Sequence, residues 1–495
     1  MGGQTLAAVA QVLAGAGVLV GSRGDLRTEV AGASQDSTNT AADDLFCAWK
    51  GSIVDAHDFL PVVARRGASG AVVERAVESV QIPQLVVSDG RRAAAVAAAF
   101  LADHPDRSMT MVGITGTNGK TTTSLITRHL LGRLGPAAAV GTVGVVGTRT
   151  PAEPGSALTT PGPVETAATL RSLADAGTVS VTMEASSHAL DQRRLDGIEF
   201  DIGVFTNFTQ DHLDYHGDLA SYLDAKKRLT ELIAADGSIV VNADDPAWNA
   251  LDGGGRRMRT FSLAGGEASV GAEDVAASSL GSEFTCRWYG ERISARLPLP
   301  GRFNVSNALA ALSVAELAGV DRRDAVALLA EAPQVPGRLE RVVETPFSVY
   351  IDFAHTADAL QNVLATLKPL TKGRLIVVFG AGGDRDRGKR AQMGAAARLA
   401  DTVVLTSDNP RGEDPERIMD DIAAGLGGTR FARDADRRRA ISLAIDGAEP
   451  GDTVLLAGKG HERYQIFAEG SVPFDEREVV LEAVGKRAAG GGGGS

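Results

Sequence analysis

The sequence has few cysteines, no basic excess and no long apolar run, and each shortage argues against a class of protein. Its two cysteines, Cys47 and Cys286, lie far apart without CxxC spacing, which gives no support to a disulfide framework or a zinc site. The 50 basic residues are outnumbered by 62 acidic ones, giving a formal charge of −12. A dedicated nucleic-acid binder is therefore not expected, because such proteins need a basic face.

The apolar stretch near the N-terminus is not typical of a signal peptide or a membrane span. It runs from Leu6 to Val20, is broken by Gly15 and Gly17, and has no basic residues before it. A membrane partner is therefore not expected, and the two isolated cysteines fit a reducing, cytoplasmic setting. We further expect a monomer that acts on small molecules and not on nucleic acid.

The chain is long enough for several cores. Its 495 residues, 44% of them apolar, predict about three domains of roughly 150 residues each. We place a small mixed α/β domain at residues 1–106, a central P-loop ATPase-like parallel-sheet domain at 107–333 and a Rossmann-like α/β domain at 334–487. The last joint lies at APQVPG (Ala332–Gly337), and residues 488–495 resemble a flexible tail or linker.

Short β-like runs alternate with helical stretches in the two larger domains. This alternation favours an α/β fold with mostly parallel sheets, whose ligands approach the carboxyl ends of the strands. One long helical stretch is predicted at Leu219–Ala234. The predicted strands are Ser180–Met183, Ile202–Thr206 and Ser238–Asn242 in the central domain, and Ser348–Asp352, Leu375–Phe379, Thr402–Thr406 and Thr453–Ala457 in the last one.

The strongest local signal is the segment GTNGKTT at Gly116–Thr122, between a predicted strand and a predicted helix. Its glycines let backbone N–H groups surround phosphate oxygens, Lys120 supplies a positive charge, and the Thr121 hydroxyl can bind Mg²⁺. The spacing departs from a Walker motif, which would have a glycine where Ile114 stands. The alternative is a glycine-rich turn that binds nothing.

Two further loops should open at the same sheet edge. MEASSH (Met183–His188) and TNFTQDHLDYHG (Thr206–Gly217) each follow a predicted strand. Glu184 and His212 are therefore expected near the nucleotide phosphates, where a carboxylate and an imidazole can hold a divalent cation.

A series of motifs resembles the Mur ligase family, over roughly Gln35 to Val484. In chain order these motifs are GTNGKTTT, MEASSHALDQRR, VFTNFTQDHLDYHG, NADD, GRFNVSNALAA, DFAHT, GDRDRGKR, SDNPRGEDP and AGKGHERYQ. Within the family they are most similar to the ligases that add meso-diaminopimelate to the D-glutamate carboxylate of UDP-N-acetylmuramoyl-L-alanyl-D-glutamate. The resemblance implies an ATP-dependent amide ligase of peptidoglycan precursor synthesis, with an acyl-phosphate intermediate.

The resemblance also implies roles for particular residues. ATP and Mg²⁺ are the implied co-substrate and cofactor, and Lys226 of LDAKKRL matches the lysine that the family carbamylates. An ordinary solvated helix lysine is the alternative for Lys226, next to Lys227. The implied catalytic residues are Lys120, Glu184, His212 and Lys226, and the implied metal ligands are Thr121, Glu184, His212 and carbamylated Lys226.

Three binding sites follow from the same motifs. Two of the assignments have an alternative from the residues alone: Asn304 and Asn307 could equally be helix caps and not ATP contacts, and DNPR (Asp408–Arg411) could be an ordinary turn and not part of an amino-acid site. The implied ATP contacts are Gly116, Thr117, Asn118, Gly119, Lys120, Thr121, Thr122, Asn304, Asn307 and His355. The implied sugar-nucleotide contacts are Ser37, the Lys50–Val54 loop, Thr159, Thr160, Ser186, Gln192 and Arg194, and the implied amino-acid contacts are Arg390, Asp408, Asn409, Pro410, Arg411, Gly458 and Glu462.

Some positions depart from the usual text of the family. The family's DSR is DST here, with Thr38, and its DG is Asp55-Ala56. Its YAHTP is FAHTA, which ends at Ala357, and its GKRP is GKRA, which ends at Ala391. These departures keep open a family member that joins an amino acid to another carboxylate in natural-product assembly. A P-loop NTPase acting as a switch or motor, and a nucleotide-regulated module without catalysis, are the other hypotheses.

Overall fold

The computed structural model describes residues 3–51, 53–147 and 158–491 of the chain. It divides into two compact units, one of Met1–Gly271 with Asn307–Ala325 and one of Ala272–Ser306 with Val326–Ser495. Within the described ranges, no helix combines the length and the apolar character that crossing a membrane requires. The three domain boundaries placed from the sequence stay predictions.

The first unit begins with a small α/β layer in which the strand Asp44–Cys47 has apolar residues on both faces. Leu45 and Cys47 pack with Leu6 on one face, while Phe46 packs with Leu60 on the other, as the pleat of a strand requires. Its elements are β1 (Gln4–Thr5), α1 (Leu6–Gly15), β2 (Leu19–Arg23), β3 (Glu29–Val30), β4 (Gly32–Ser34), β5 (Asp44–Cys47), α2 (Leu60–Arg65), β6 (Gly70–Val73), β7 (Gln84–Val87) and α3 (Gly90–Leu101). The sheet order is β2-β7-β6-β5-β4, parallel except for β2.

The same unit continues with a larger, mostly parallel sheet. Its elements are β8 (Thr110–Thr115), α4 (Lys120–Leu131), β9 (Ala137–Gly141), β10 (Gly144–Val146), α5 (Pro163–Asp175), β11 (Ser180–Glu184), α6 (Ser187–Asp191), β12 (Phe200–Phe205), α7 (Leu213–His216), α8 (Leu219–Lys227), β13 (Ile233–Asn242) and β14 (Arg257–Ser262). These strands lie in the order β10-β9-β11-β8-β12-β13-β14, and only β10 is antiparallel to its neighbour. Because β8 lies between β11 and β12, the loops after these three strands share one sheet edge.

One predicted helix is too long. The stretch Leu219–Ala234 is helical only to Lys227, continues as a 3-10 turn to Leu232, and then enters β13. Ile233 is buried in the core of the sheet and pairs with Phe200 of β12. Apolar spacing at this point fits a helix and a buried strand equally well, so pairing with β12 decides the outcome.

The chain next forms a hairpin and two helices. Its elements are β15 (Val270–Ser278), β16 (Gly281–Trp288), β17 (Glu291–Leu297), α9 (Arg302–Leu317) and α10 (Arg322–Leu328). Strands β16 and β17 are antiparallel over seven residue pairs and bury Cys286.

The second unit contains a six-stranded sheet with helices on both faces, as predicted for a doubly wound domain. Its elements are β18 (Glu340–Val343), β19 (Ser348–Asp352), α11 (Ala357–Leu367), β20 (Leu375–Phe379), α12 (Gly388–Ala397), β21 (Thr402–Leu405), α13 (Pro415–Ala423), β22 (Phe431–Arg433), α14 (Arg437–Asp446), β23 (Thr453–Ala457), β24 (Tyr464–Phe467), β25 (Gly470–Pro473) and α15 (Glu476–Gly491). The sheet order is β18-β19-β23-β20-β21-β22, parallel except for β18. Helices α11 to α13 cover one face, and α14 and α15 cover the other.

The predicted tail begins inside a helix. Helix α15 continues to Gly491, because the residues before the glycine run, Lys486 to Ala489, favour helix. The remaining tail residues, 492–495, lie outside the described residues.

Candidate active site

The phosphate loop has the predicted order of strand, glycine turn and helix. After β8, Gly116 and Gly119 adopt φ values of +147° and +85°, and Lys120 begins α4. A Cβ atom at Gly116 would lie 1.9 Å from Thr206 Oγ1, and one at Gly119 would lie 2.4 Å from Asn307 Oδ1. Both positions therefore require glycine, for space as well as for backbone conformation. The missing Walker glycine is explained by Ile114, which is a buried residue of β8.

Hydrogen bonds join the phosphate loop to the loop that follows β12. Asn118 N donates to Asn207 Oδ1 at 2.9 Å, and Asn207 Nδ2 donates back to Asn118 O at 3.1 Å. Thr206 Oγ1 also donates to Asn118 O at 2.7 Å, and Thr117 Oγ1 donates to Thr209 O at 3.1 Å. The loop that carries His212 is thus held against the phosphate loop.

Glu184, at the end of β11, is buried and contacts the first turn of α4. Its Oε2 accepts hydrogen bonds from the hydroxyls of Thr121 and Thr142, both at 3.0 Å, and its Oε1 accepts one from Thr142 N at 2.8 Å. A Cβ atom at Gly141 would lie 2.1 Å from Glu184 Oε1. The structure therefore brings together Thr121 and Glu184, two of the four residues expected to bind metal.

Lys226 is a buried lysine of α8. Its side chain is 1% exposed, its Nζ donates to Gly116 O at 2.8 Å, and Nζ lies 4.3 Å from the centre of the Tyr222 ring. Burial and the charge of Lys120 lower the pKa of Lys226 well below its ordinary value. Lys227 instead is partly exposed and pairs with Asp224 at 3.6 Å, so the solvated helix lysine is Lys227 and not Lys226.

A cavity of about 270 Å³ joins residues expected at the ATP phosphates to residues expected at the sugar-nucleotide peptide. Glu184 is connected to its wall through Thr142, whose Oγ1 lies 3.2 Å from Thr159 Oγ1. The lining residues are Lys120, Leu158, Thr159, Ser186, Ser187, His188, Arg194, His212, Tyr222 and Lys226. The cavity therefore brings three basic side chains, Lys120, Arg194 and Lys226, and several hydroxyl donors to one place.

His188 and Tyr222 belong to this cavity but were not singled out from the sequence. The His188 ring meets the His212 ring edge to face at 4.7 Å, and Tyr222 OH donates to Thr117 Oγ1 at 3.2 Å. Burial, together with the charges of His212 and His216, lowers the pKa of His188 to about 4. The sequence offered a signal for His188, because it ends the motif MEASSH. It offered none for Tyr222, whose place in the cavity depends on how α8 packs.

The residues present fit a hard divalent cation better than a soft one. Among the described residues, no group of three or more His, Cys, Asp or Glu side chains is arranged to hold a metal ion. Thr121 and Glu184 supply oxygen donors in mutual contact, which suits Mg²⁺, an ion that binds through few protein oxygens together with phosphates and water.

The donors expected for the sugar-nucleotide peptide form one network beside Glu184. Thr160 Oγ1 donates to Glu184 O at 2.7 Å and accepts from Ser186 N at 3.0 Å. Arg194 Nη1 donates to Thr160 O at 2.8 Å, and its Nη2 donates to Gln192 Oε1 at 2.6 Å. Five of the predicted residues, Thr159 among them, are therefore neighbours.

The predicted residues of the small N-terminal sheet lie in two separate turns. Ser37 O accepts from Arg66 Nη1 at 2.7 Å, in a turn where Thr38 donates its hydroxyl to Asp36 Oδ1 at 2.7 Å. In the Lys50–Val54 loop, Gly51 N donates to Val54 O at 2.9 Å and Ile53 is 94% exposed. Ser52 lies outside the described residues.

In the second unit, the loops after β21 and β23 meet around a buried lysine. Lys459 Nζ donates to Asn409 Oδ1 at 2.9 Å and to Glu462 Oε2 at 3.0 Å, and it lies 3.6 Å from Asp408 Oδ1. A Cβ atom at Gly458 would lie 2.6 Å from Asp408 Oδ2. The structure thus brings together four of the predicted amino-acid contacts, Asp408, Asn409, Gly458 and Glu462, and adds Lys459, whose burial no pattern indicated.

Arg390 does not have the environment expected of a residue that binds a substrate carboxylate. It is 1% exposed, and its guanidinium donates to both Glu413 oxygens at 2.9 and 3.1 Å and to Asp421 Oδ2 at 2.9 Å. The guanidinium group is therefore already bound by carboxylates of the protein, as a buried cation requires. In the same motif Arg385 is exposed and lies beside Arg411: a Cβ atom at Gly382 would be 3.0 Å from Arg411 Nη1 and 3.6 Å from Arg385 Cγ.

Pro410 and Arg411 complete the turn that follows β21. Pro410 is buried. Arg411 has a φ of +52°, and its Nη1 donates to Gly383 O at 3.0 Å and to Asn409 O at 3.3 Å.

The predicted contacts for the base and ribose of ATP lie in defined surroundings. Helix α9 begins at Arg302, so Asn304 and Asn307 lie within it and are not its N-caps. Asn304 Nδ2 donates to Pro300 O at 2.8 Å, and Asn307 Oδ1 accepts from Thr123 Oγ1 at 3.4 Å. In the second unit, the His355 ring lies edge to face with Phe353 at 4.6 Å.

These features define a class: an α/β enzyme with a glycine-rich phosphate loop in one unit and a charged pocket at the strand ends of another. Residues 114–315 match the model of the Mur ligase middle domain, and residues 337–460 match that of the Mur ligase glutamate ligase domain. The chain therefore belongs to the Mur ligase family. The family, the α/β fold class and the ligase class predicted from the sequence are confirmed.

Individual relatives agree with this assignment. The UDP-N-acetylmuramoyl-L-alanyl-D-glutamate–2,6-diaminopimelate ligase of Gloeobacter violaceus is 42% identical over 93% of this chain and 94% of its own. The Streptomyces coelicolor ligase of the same name is 40% identical, with 93% and 94% covered. A solved structure of a ligase with this name gives a TM-score of 0.70 at 31% identity and covers 98% of this chain and all of its own. MurF of Acinetobacter baumannii shares the fold at 20% identity, with a TM-score of 0.68 and coverage of 98% and 99%.

Proposed function

We propose that this chain is an ATP-dependent, ADP-forming ligase that joins meso-diaminopimelate to the D-glutamate carboxylate of UDP-N-acetylmuramoyl-L-alanyl-D-glutamate. The observation that carries the proposal is the cavity that is lined by Lys120, Lys226 and His212 together with Thr159, Ser186 and Arg194. Such a cavity suits a reaction between a phosphate and a carboxylate. The substrates are those named for relatives that match almost the whole chain.

The proposed reaction has two steps. The substrate carboxylate attacks the γ-phosphorus of ATP and ADP leaves, and the amine then attacks the acyl carbon and displaces phosphate through a tetrahedral intermediate. Both steps concentrate negative charge, so stabilisation of that charge is the main requirement. Lys120 supplies one fixed cation, and the backbone N–H groups at Gly119 and in the first turn of α4 supply donors without a further charge, since those of Thr117 and Asn118 already bond to Asn207.

We assign the metal site to Thr121 and Glu184, with His212 on the cavity wall as a further donor. When bound, Mg²⁺ neutralises phosphate charge and polarises the transferred group. The Thr142 hydroxyl and N–H orient the Glu184 carboxylate toward Thr121. Removal of Mg²⁺ should therefore abolish turnover.

We further propose that Lys226 acts as its carbamate. A buried lysine without a carboxylate partner is costly as an ammonium group, whereas its neutral amine can attack carbon dioxide and release a proton. Among the described residues, no carboxylate lies within ion-pair distance of Lys226 Nζ, and its hydrogen bond goes to Gly116 O. The resulting anion would face Lys120 and offer oxygen ligands to a cation.

For the amino acid, we propose that Arg411 and Arg385 bind the distal carboxylate. Asp408 and Glu462 would accept the distal ammonium group, with Asn409 orienting Glu462 through a hydrogen bond of 2.9 Å. Arginine forks suit carboxylates, and oxygens suit ammonium groups. Arg390 instead binds the protein's own carboxylates, Glu413 and Asp421. We also propose that the enzyme works as a monomer in the cytoplasm, which light scattering on a sizing column and cell fractionation test.

The assay combines protein, Mg²⁺ and ATP with the UDP-muramoyl dipeptide and, in separate reactions, meso-diaminopimelate, L-lysine or no amine. Phosphate release and product mass are measured together. The proposal expects release that depends on meso-diaminopimelate and equals product formation. Release without an amine would indicate an NTPase, and activity only with unrelated carboxylates would indicate a natural-product ligase; either result would overturn the proposal.

A further inference from the structure

Arg437 and Glu476 form an ion pair that is entirely buried in the second unit. Their side chains are 0% and 1% exposed, and Arg437 Nε donates to Glu476 Oε1 at 2.7 Å. Arg437 begins α14 and Glu476 begins α15. Burying two charges removes both from water, and this cost can exceed the attraction between them. A gain in stability therefore does not by itself explain why the pair is present.

The remaining donors of Arg437 bind the backbone just before the two loops of the amino-acid pocket. Nη1 donates to Ser407 O at 3.2 Å, and Nη2 donates to Ala457 O at 2.9 Å. Ser407 directly precedes Asp408, and Ala457 directly precedes Gly458. The strands that lead into these loops, β21 and β23, are not neighbours, because β20 lies between them. One guanidinium group therefore connects two strand ends that share no ladder.

The two loops tolerate little relative movement. The Cβ position of Gly458 is 2.6 Å from Asp408 Oδ2, and Lys459 is held by Asn409 and Glu462 at 2.9 and 3.0 Å. Burial raises the pKa of Glu476, and the charges of Arg437, Lys459 and Asp408 also act on it. The ion pair and the charged pocket are thus one connected polar network.

We propose that Arg437 and Glu476 are positioning residues for amino-acid recognition, because Arg437 fixes the spacing of the Asp408 and Gly458 loops while Glu476 fixes Arg437. The inference rests on the proposed function, which places the amino acid at these loops. Neither residue touches the substrate. Arg437 holds one carboxylate and two carbonyl oxygens through three different nitrogens at fixed positions, whereas a lysine would have to reach all three from one nitrogen.

The test uses the double variant R437M/E476L, which replaces both charges with apolar side chains and leaves no unpaired buried charge. The matched control is R438M/E482L, which removes an exposed ion pair of 2.5 Å between the same two helices. Thermal unfolding and the KM values for all three substrates are measured for each protein. We expect the KM for meso-diaminopimelate to rise about tenfold or more in R437M/E476L, because small misplacements of binding groups have effects of this size. The KM values for ATP and the sugar nucleotide, and the control, should stay unchanged.

The variant R437K keeps the charge but loses the fork. We expect R437K to remain folded and to raise the KM for meso-diaminopimelate alone. It therefore tests the inference even if the double variant does not fold. An unchanged KM for meso-diaminopimelate in these variants, or an equal rise in all three KM values, would overturn the inference. Failure of the wild-type protein to use meso-diaminopimelate would instead overturn the proposed function, and this inference with it.

Discussion

Replacing Gly116 by alanine should damage ATP use through a collision that can be located in the structure. Gly116 has a φ of +147°, where a residue with a Cβ is strained by about 1–3 kcal/mol. The new Cβ would also lie 1.9 Å from Thr206 Oγ1, which donates to Asn118 O at 2.7 Å. Displacing that hydroxyl costs about a further 0.5–1.5 kcal/mol.

Together these costs amount to about 1.5–4.5 kcal/mol. If they fall on the loop that binds ATP, kcat/KM for ATP should drop at least about tenfold, since 1.4 kcal/mol corresponds to about a factor of ten. Steady-state kinetics with ATP as the varied substrate measure this drop. Adding T206A removes the clashing hydroxyl and should restore part of the loss.

The matched control is Gly177→Ala. Gly177 also has a positive φ, +78°, but nothing lies within 4 Å of its Cβ position. The control should lose about 1–2 kcal/mol of stability through backbone strain and keep its kcat/KM for ATP. Equal losses of ATP use in the two variants, or no loss at Gly116, would refute the reasoning.

Three further predictions separate neighbouring residues or test the metal. Lys226→Ala should lower kcat by about a hundredfold or more, as expected for a buried charge at the reacting groups, while Lys227→Ala should stay near wild type in the same assay. Arg390→Met should lower the unfolding temperature, because it removes the buried cation that binds Glu413 and Asp421 and leaves Glu413 only the exposed Arg387. Arg411→Ala should change that temperature less and raise the KM for the amino acid roughly tenfold or more. Chelation with EDTA should abolish phosphate release and added Mg²⁺ should restore it; activity that survives chelation would contradict the assignment of Thr121 and Glu184.

The sheet edge and its loops could be predicted from the sequence because parallel strands place their carboxyl ends together. Glu184 and the His212 loop were expected beside the phosphate loop on that ground. Hydrogen bonds to Thr121 and to Asn118 hold them there. The gathering of Asp408, Asn409, Gly458 and Glu462 followed from motifs, and it has the same topological cause.

The remaining features depend on burial and pairing, which spacing does not reveal. GDRDRGKR contains three arginines, and only the fold shows that Arg390 is buried against Glu413 while Arg385 is exposed. Lys226 and Lys227 are adjacent in sequence, yet helix rotation buries one and leaves the other beside Asp224. The end of α8 could not be predicted without its neighbour β12, because Ile233 suits a helix and a strand equally and only its pairing with Phe200 decides between them.

In the proposed reaction, the group that attacks ATP at the phosphate loop is a carboxylate and not water. The most direct measurement uses a sugar-nucleotide dipeptide whose D-glutamate carboxylate carries a heavy oxygen isotope, with ATP, Mg²⁺ and meso-diaminopimelate. An acyl-phosphate route predicts that one labelled oxygen appears in each released phosphate, as shown by mass spectrometry. Unlabelled phosphate would mean that water attacks ATP, and it would contradict the account.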